Sequence, residues 1–113
     1  MKYVIAVIQP DKLEDVLDQL EEENVHLVTA SDVMGRGRQK GMAEIYRSHK
    51  EPGNLLRKVK IEIAVNDDFV ERTVAAIIKG ARSERIGDGK IFVLDLERCV
   101  RIRTGETGSV AIG

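Results

Sequence analysis

The hydrophobic positions in the first half of the chain predict a strand, a helix and a second strand. Residues 3–8 are almost wholly apolar and rich in β-formers, and Pro10 ends the run. A D-x-x-E signal at 11–14 then predicts a helix start, and apolar residues recur at helical spacing over 13–20. A second strand is predicted over about 25–33.

The second half of the chain repeats this plan. Residues 58–65 alternate cleanly between apolar and polar side chains, which predicts a strand with one buried face. A helix is predicted to open at Asp67 or Asp68, and a further strand covers 90–96, extended or joined by 99–103. Two β-α-β units of this size predict an α+β fold, a ferredoxin-like sandwich with both helices on one face of an antiparallel sheet.

The first predicted strand is apolar on both of its faces, which two helices on one side of the sheet cannot cover. One face carries Tyr3, Ile5 and Val7, and the other carries Val4, Ala6 and Ile8. A second apolar face left in water would be a sizeable exposed patch. We expect another copy of the chain to bury it, and the alternative is that a C-terminal segment folds over it.

Composition limits the class of protein. A chain of 113 residues predicts one domain spanning 1–113, and 42% hydrophobic with 33% charged residues is typical of a soluble globular protein. The net charge of -1 gives no general electrostatic case for binding nucleic acid or a membrane surface. No run is apolar enough to span a bilayer, no signal peptide is visible at the N-terminus, and a lone Cys99 suits a reducing cytoplasm.

Three segments concentrate glycine and positive charge: 35–41 (GRGRQKG), 86–90 (IGDGK) and 101–108 (RIRTGETG). Glycines let a backbone approach an anion closely, and Arg or Lys adds charge-assisted bonds to phosphate oxygens. Each segment alone is also explained by a tight turn or a solvated strand edge. Together they indicate a polyphosphate site, with these candidate cations: Arg38, Lys90, Arg101 and Arg103.

No set of nucleophile, base and orienting group is visible, so catalysis has little support in the sequence. His26 and His49 have no cysteine or carboxylate at ligand spacing, and Cys99 fits a packed thiol. Glu62 lies opposite to the apolar face of its strand, where a solvated side chain is the default. The polar stretch 35–54 is too long for an ordinary loop in a compact domain, which points to function or disorder.

At these segments the sequence resembles the P-II family of nitrogen-regulatory signal-transduction proteins, over essentially the whole chain. The motifs that carry the resemblance are GRGRQKG at 35–41, EIYR at 44–47, KVKIEI at 58–63, IGDGKIFV at 86–93 and RIRTGE at 101–106. The resemblance implies two ferredoxin-like βαβ halves and a homotrimer whose sheets pack around a threefold axis. It also implies a T-loop at about 36–55, a B-loop at 82–90 and a C-loop at 102–109.

The resemblance implies that ATP or ADP binds between neighbouring subunits. On the phosphate side, Gly87, Gly89, Lys90 and Arg38 would come from one subunit, and Arg101 and Arg103 from its neighbour. The adenine side would be lined by Thr29, Glu62, Ala64 and the backbone near Val7. The remaining residues that the resemblance assigns to the nucleotide are Gly35, Gly37 and Asp88.

The second implied ligand is 2-oxoglutarate, held through Mg²⁺ that is shared with the ATP phosphates. Gln39 matches the residue that ligates this ion, Lys58 matches the one that pairs with a carboxylate of the ligand, and Lys40 and Gly41 belong to the wrapping segment. A hard cation among phosphate and carboxylate oxygens is reasonable for Mg²⁺. The bound state would set the conformation of the T-loop, which would dock onto an ammonium transporter, glutamine synthetase, a nitrogenase system or another nitrogen-assimilation enzyme.

The sequence departs from the family pattern in the outer loop. The tyrosine that is uridylylated in the family aligns with Glu51, so this modification is predicted to be absent. Met42 and Ala43 replace polar residues near the loop base, and Ala64 stands where a larger aliphatic residue is usual. Two other hypotheses remain open: a slow ATPase, for which no general base is visible, and an RNA-binding module, which the two Phe and two Tyr of the chain support poorly.

Overall fold

The computed structural model describes residues 1–37 and 55–113. In the order of the chain, the strands and α-helices are β1 (Lys2–Ile8), α1 (Leu13–Glu22), β2 (Thr29–Gly35), β3 (Leu56–Val65), α2 (Val70–Ala81), β4 (Gly89–Asp95) and the short α3 (Ser109–Ile112). The four strands form one sheet in the order β2-β3-β1-β4, and all neighbours are antiparallel. This is the sheet order of two interleaved β-α-β units, so the predicted ferredoxin-like architecture is confirmed.

The core lies between the two long helices and one face of the sheet. From β1 the side chains of Val4, Ala6 and Ile8 are buried there. The alternate residues of β3 join them, and Leu20 and Ile77 close the core from the helices. The alternation predicted for β1 and β3 therefore separates the core face from the opposite face, as the two-residue period of a strand requires.

Both long helices begin differently from the sequence prediction. A 3₁₀ turn at Pro10–Lys12 precedes α1, and a second at Asp67–Phe69 precedes α2. No side chain caps either turn or either helix. The D-x-x-E signal therefore does not form a capping box, because Pro10 starts a tight turn that places Asp11 inside it. Asp67 instead accepts from the N-terminal amine, at 2.8 Å from Oδ1.

The second strand begins four residues later than predicted. Asn24 ends α1 in the left-handed conformation (φ 61°), and Val25 N then donates to Leu20 O at 2.9 Å. The Val25 side chain is buried in the core, so residues 25–28 return the chain across the helix end before pairing starts at Thr29.

The predicted strand over 99–103 is wrong. Val100 makes one isolated bridge to Thr107, and Gly105 N donates to Arg101 O at 2.7 Å. These two contacts fold the segment into a tight turn, in which Ile102 is fully exposed. The turn occurs because Gly105 adopts the left-handed conformation, with φ 75°.

The face of the sheet that lies away from the helices, called the open face below, is apolar along β1 and β4. Phe92 and Leu94 of β4 pair with Ile5 and Tyr3 of β1, and they are 49% and 46% exposed. The C-terminal segment therefore leaves this part of the face open. Among the described residues no helix combines the length and apolar character needed to cross a membrane.

Candidate functional site

The loop between α2 and β4 is organised around the carboxylate of Asp88. Its Oδ2 accepts from Ser83 N at 2.7 Å and from Glu84 N at 2.8 Å, and its Oδ1 accepts from the Ser83 hydroxyl. Burial raises the pKa of Asp88, but the hydrogen bonds from Ser83 and the loop backbone outweigh it and hold this pKa below its usual value. Asp88 is therefore ionised and holds the loop together. In the structure this predicted site residue contacts its own loop.

Two glycines fit the same loop against the end of β1. Gly87 and Gly89 have φ values of 103° and 114°, which L side chains rarely adopt. A Cβ atom at position 89 would lie 1.9 Å from Val7 O, so only glycine fits there. Gln9 Nε2 donates to Gly87 O at 2.7 Å and fixes the loop from the other side. The predicted residues Val7, Gly87 and Gly89 therefore meet at one edge of the sheet.

Lys90 leaves this loop on the open face of the sheet, opposite Val7. Its side chain is exposed and forms no ion pair or hydrogen bond with any described residue. An exposed ammonium next to a glycine loop braced by its own carboxylate suits an anionic ligand.

Arg101 and Arg103 lie in the turn that follows β4, and not on one face of a strand as predicted. Arg101 Nη1 donates to Glu106 Oε1 at 2.7 Å, and its Nη2 donates to Val110 O at 2.9 Å. Arg103 is exposed and unpaired among residues 1–37 and 55–113. The structure does not bring these two arginines onto the glycine loop of their own chain.

Glu62 has partners on the open face, contrary to the solvated default. The Tyr3 hydroxyl donates to Glu62 Oε2, and Lys60 Nζ lies 3.1 Å from Glu62 Oε1. The hydrogen bond from Tyr3, followed by that from Lys60, lowers the pKa of Glu62. The hydrogen bond between Tyr3 and Glu62 also raises the pKa of Tyr3. Thr29 stands directly opposite Glu62 on β2, so these two predicted residues are brought together.

A cavity of about 220 Å³ adjoins Ala64. It lies where residues 24–27 pass the end of β3 before β2 begins, and its walls include Leu27, Phe69 and Ile112. A largely apolar cavity of this kind is suited to a flat organic group with a few polar edges. Thr29 and Glu62 are not among its described lining residues.

Lys58 is buried, with 7% of its surface exposed, next to the backbone of Gly35. A Cβ atom at Gly35 would lie 3.6 Å from Lys58 Cγ. Burial lowers the pKa of Lys58, because a low-dielectric environment disfavours the charged ammonium. A carboxylate beside Lys58 would favour its charged form, so this position is compatible with the ligand predicted for it.

The other predicted residues of the 35–41 segment are Arg38, Gln39, Lys40 and Gly41, and they lie outside the described residues, as does Glu51. Gly37 is described, and no atom of residues 1–37 and 55–113 lies within 4 Å of a Cβ placed there. The described part of the chain holds no cluster of three His, Cys, Asp or Glu side chains suited to a metal ion. The predicted Mg²⁺ ligand therefore stays a prediction.

Sequence reasoning missed the residues that hold the site residues in place. Each of them forms a hydrogen bond with a predicted site residue: Ser83 with Asp88, Gln9 with Gly87, Tyr3 with Glu62 and Glu106 with Arg101. Ser83 and Glu106 had a local signal, because each lies five residues from its partner. His26 also has a partner that was missed, since its Nδ1 lies 2.8 Å from Glu21 Oε2.

Comparison with known proteins identifies relatives over nearly the whole chain. The sequence profile described as "Nitrogen regulatory protein P-II" matches residues 1–106. The chain is 54% identical to "Nitrogen regulatory protein GlnK1" of Methanosarcina mazei, over 99% of this chain and 97% of the relative. It is 49% identical to "Nitrogen regulatory protein P-II" of Bradyrhizobium diazoefficiens, over 99% of this chain and all of the relative.

The fold is similar to a solved plant structure. The crystal structure of Arabidopsis thaliana PII bound to citrate aligns with a TM-score of 0.81 at 37% identity, over 98% of this chain and 88% of that one. The likeness covers both β-α-β halves, so it includes every described element of the candidate site.

Proposed function

The chain belongs to the P-II family of nitrogen regulatory proteins, and we propose that it senses ATP or ADP together with 2-oxoglutarate and passes their binding state to nitrogen-metabolism targets. The relatives are named as regulatory proteins and not as enzymes. The observation that carries the proposal is the loop at 82–90, in which a carboxylate brace and two left-handed glycines adjoin an exposed Lys90 that has no partner among the described residues.

This loop supports the phosphate end of the nucleotide site. Its own carboxylate accepts hydrogen bonds from Ser83 and Glu84 and so braces the loop. Gly87 and Gly89 place backbone close to the surface, where amide groups can donate to phosphate oxygens. Lys90 supplies the charge. Arg38, Arg101 and Arg103 would complete the set, the latter two from a neighbouring subunit.

The opposite end of the site would hold adenine. Thr29 pairs with Glu62 across β2 and β3, and Ala64 adjoins a largely apolar cavity of about 220 Å³. An ionised carboxylate accepts hydrogen bonds from an exocyclic amine, and the apolar walls favour a planar ring. The proposal therefore assigns the base to this end of the cleft.

A homotrimer would bring Arg101 and Arg103 to the loop at 82–90. Within one chain, Arg101 and Arg103 lie in the turn beyond β4 and are not joined to the loop at 82–90. The open apolar face, with Phe92 and Leu94 about half exposed, provides a surface for self-association. In the proposed trimer, the arginines of one subunit would lie beside the glycine loop of the next.

The second ligand, 2-oxoglutarate, would bind at the base of the long loop with Mg²⁺. The buried ammonium of Lys58 is the described group suited to one of its carboxylates, and Gln39, Lys40 and Gly41 would complete the site. The plant relative is described as bound to citrate, another small carboxylate, which supports a carboxylate ligand for this chain. Mg²⁺ would supply charge neutralisation between phosphate and carboxylate oxygens.

The output of the sensor would be docking of the 36–55 loop onto a target. The proposal covers an ammonium transporter and enzymes of nitrogen assimilation, such as glutamine synthetase or a nitrogenase system. Since Glu51 replaces the modifiable tyrosine, ligand occupancy would be the control. A ligand shifts such a loop only by its differential affinity for two states of it.

Isothermal titration calorimetry tests the proposal on the full-length protein. We expect ADP and Mg-ATP to bind, and 2-oxoglutarate to bind only when Mg-ATP is present. The Gln39→Ala variant should lose 2-oxoglutarate binding and keep ADP binding, and Gln19→Ala in α1 is the matched control. Binding of 2-oxoglutarate without nucleotide, or no binding in either condition, contradicts the proposal.

A further inference from the structure

The guanidinium of Arg101 is held along one edge by its own chain. Nη1 donates to Glu106 Oε1 at 2.7 Å, and Nη2 donates to the backbone oxygen of Val110 at 2.9 Å. A guanidinium has five N–H donors, so the two described hydrogen bonds leave three for a ligand. The side chain is about one-third exposed, at 32%, which leaves room for a ligand to reach those donors.

The group that holds Arg101 is itself held. Glu106 Oε1 also accepts from the Thr104 hydroxyl at 2.8 Å. The backbone closes the same turn twice, because Arg101 N donates to Glu106 O at 2.9 Å and Gly105 N donates to Arg101 O at 2.7 Å. Arg101 and Glu106 are therefore fixed relative to each other by a turn of six residues.

The second contact connects Arg101 to the C-terminal helix. Val110 lies in α3, and Asn66 at the end of β3 donates from Nδ2 to Ser109 O at 3.2 Å. Ile112 of the same helix lines the cavity beside Ala64. A chain of contacts thus runs from Arg101 through α3 to the cavity that the proposed function assigns to the base.

We propose that Glu106 and the Val110 carbonyl are positioning groups, which present the free donors of Arg101 to the nucleotide phosphates. This rests on the proposed function. A long arginine side chain loses rotamer freedom when it binds a ligand, and a side chain held in advance loses less. The opposing effect is that the Glu106 carboxylate repels a phosphate. Removal of Glu106 should weaken nucleotide binding if the first effect dominates and strengthen it if the second does. A binding experiment therefore separates them.

The test compares ADP, which carries phosphates, with adenosine, which does not. Both are titrated against the full-length protein, ADP by calorimetry and adenosine by NMR chemical shifts. In Glu106→Ala we expect the ADP dissociation constant to rise by about 2- to 10-fold, which is the range for ordering one long side chain. The adenosine constant should stay the same. Glu106→Gln keeps an acceptor for Nη1 and should bind ADP at least as tightly as the wild type.

Two further variants complete the design. Glu97→Ala removes an exposed carboxylate that has no partner among the described residues, so it controls for net charge and should bind like the wild type. Thr104→Val removes the hydroxyl that holds Glu106 and should weaken ADP binding in the same direction but less, and it serves as the test if Glu106→Ala fails to fold.

The outcomes separate this inference from the proposed function. Tighter ADP binding in Glu106→Ala, equal effects on ADP and adenosine, or behaviour matching Glu97→Ala each overturn the positioning role. A wild-type protein that binds ADP no more tightly than adenosine overturns the proposed phosphate site itself.

Discussion

Gly80 of α2 lies directly against the backbone of Val16 in α1. A Cβ atom at position 80 would be 2.6 Å from Val16 Cα and 2.8 Å from Val16 N. Contacts this short cannot be relieved by turning a side chain, because both atoms belong to the backbone. The two helices that cover the sheet therefore approach each other as closely as they do only because residue 80 is glycine.

We expect Gly80→Ala to destabilise the fold by about 1–2 kcal/mol. Overpacking a core typically costs about 1–3 kcal/mol, and the higher helix propensity of alanine returns up to about 1 kcal/mol. Urea unfolding measures the change. Gly37→Ala is the control, since no atom of the described residues lies within 4 Å of its new methyl group. Equal stability of the two variants would show that the helices separate at no cost.

Glu84 adopts the left-handed conformation, with φ 64°, in the loop braced by Asp88. Glycine adopts this conformation without the steric cost of about 1–2 kcal/mol, but it adds entropy to the unfolded chain. We therefore expect Glu84→Gly to stabilise the protein by up to about 1 kcal/mol in a thermal or urea unfolding experiment. Glu71→Gly in α2 should do the opposite by about 1 kcal/mol, since glycine is unfavourable within a helix. Loss of stability in both variants contradicts the assigned strain.

The brace at Asp88 predicts a dependence on pH. The folded protein holds the pKa of Asp88 below its usual value of 3.8, so the stabilisation is present above pH 3.8 and is lost as the pH falls through the folded pKa. Asp88→Asn should be less stable than the wild type by about 1 kcal/mol at pH 7, after allowance for the partial exposure of the site.

Urea unfolding between pH 3 and pH 7 measures this difference, which should shrink toward the acid end. Asp18→Asn in α1 is the control, because Asp18 makes no hydrogen bond or ion pair in the part of the chain that the structure describes. A difference between Asp88→Asn and the wild type that does not change with pH would mean that the charge of Asp88 has no role.

The open apolar face predicts that glutamate substitutions at two neighbouring residues of β4 affect association differently. Phe92 and Val93 are 49% and 45% exposed but point to opposite faces of the sheet. If the face that carries Phe92 is buried between three copies, Phe92→Glu should prevent association, because it would bury unpaired charge. Val93→Glu should leave the trimer intact. Light scattering after size-exclusion chromatography gives the mass, and a monomeric wild type, or a trimer in both variants, rules out this face.

The regular parts of the fold were predictable because their signals are local. The alternation in β1 and β3 and the helical spacing after each strand gave the element order, and the sheet order followed from the two β-α-β units. The errors fall where the geometry of a turn or a tertiary contact decides. Pro10 and Asp67 open 3₁₀ turns, Val25 is drawn into the core before β2 begins, and Gly105 folds the segment after β4 into a turn.

The sequence by itself determined the family, the order of the elements and the two faces of β1, because these depend on residue type and spacing along the chain. Only the tertiary structure decided that Asp88 braces its loop, that Tyr3 engages Glu62, that Glu106 holds Arg101 and that Gly80 meets Val16. Tyr3 with Glu62 and Gly80 with Val16 join residues far apart in sequence. The contacts of Asp88 and Arg101 are closer in sequence, but they depend on backbone turns. These turns contain the left-handed residues Glu84 and Gly105, and residue type specifies such turns only in part. A hydrogen bond or a backbone contact depends on geometry to a few tenths of an ångström, and only the folded chain sets that geometry.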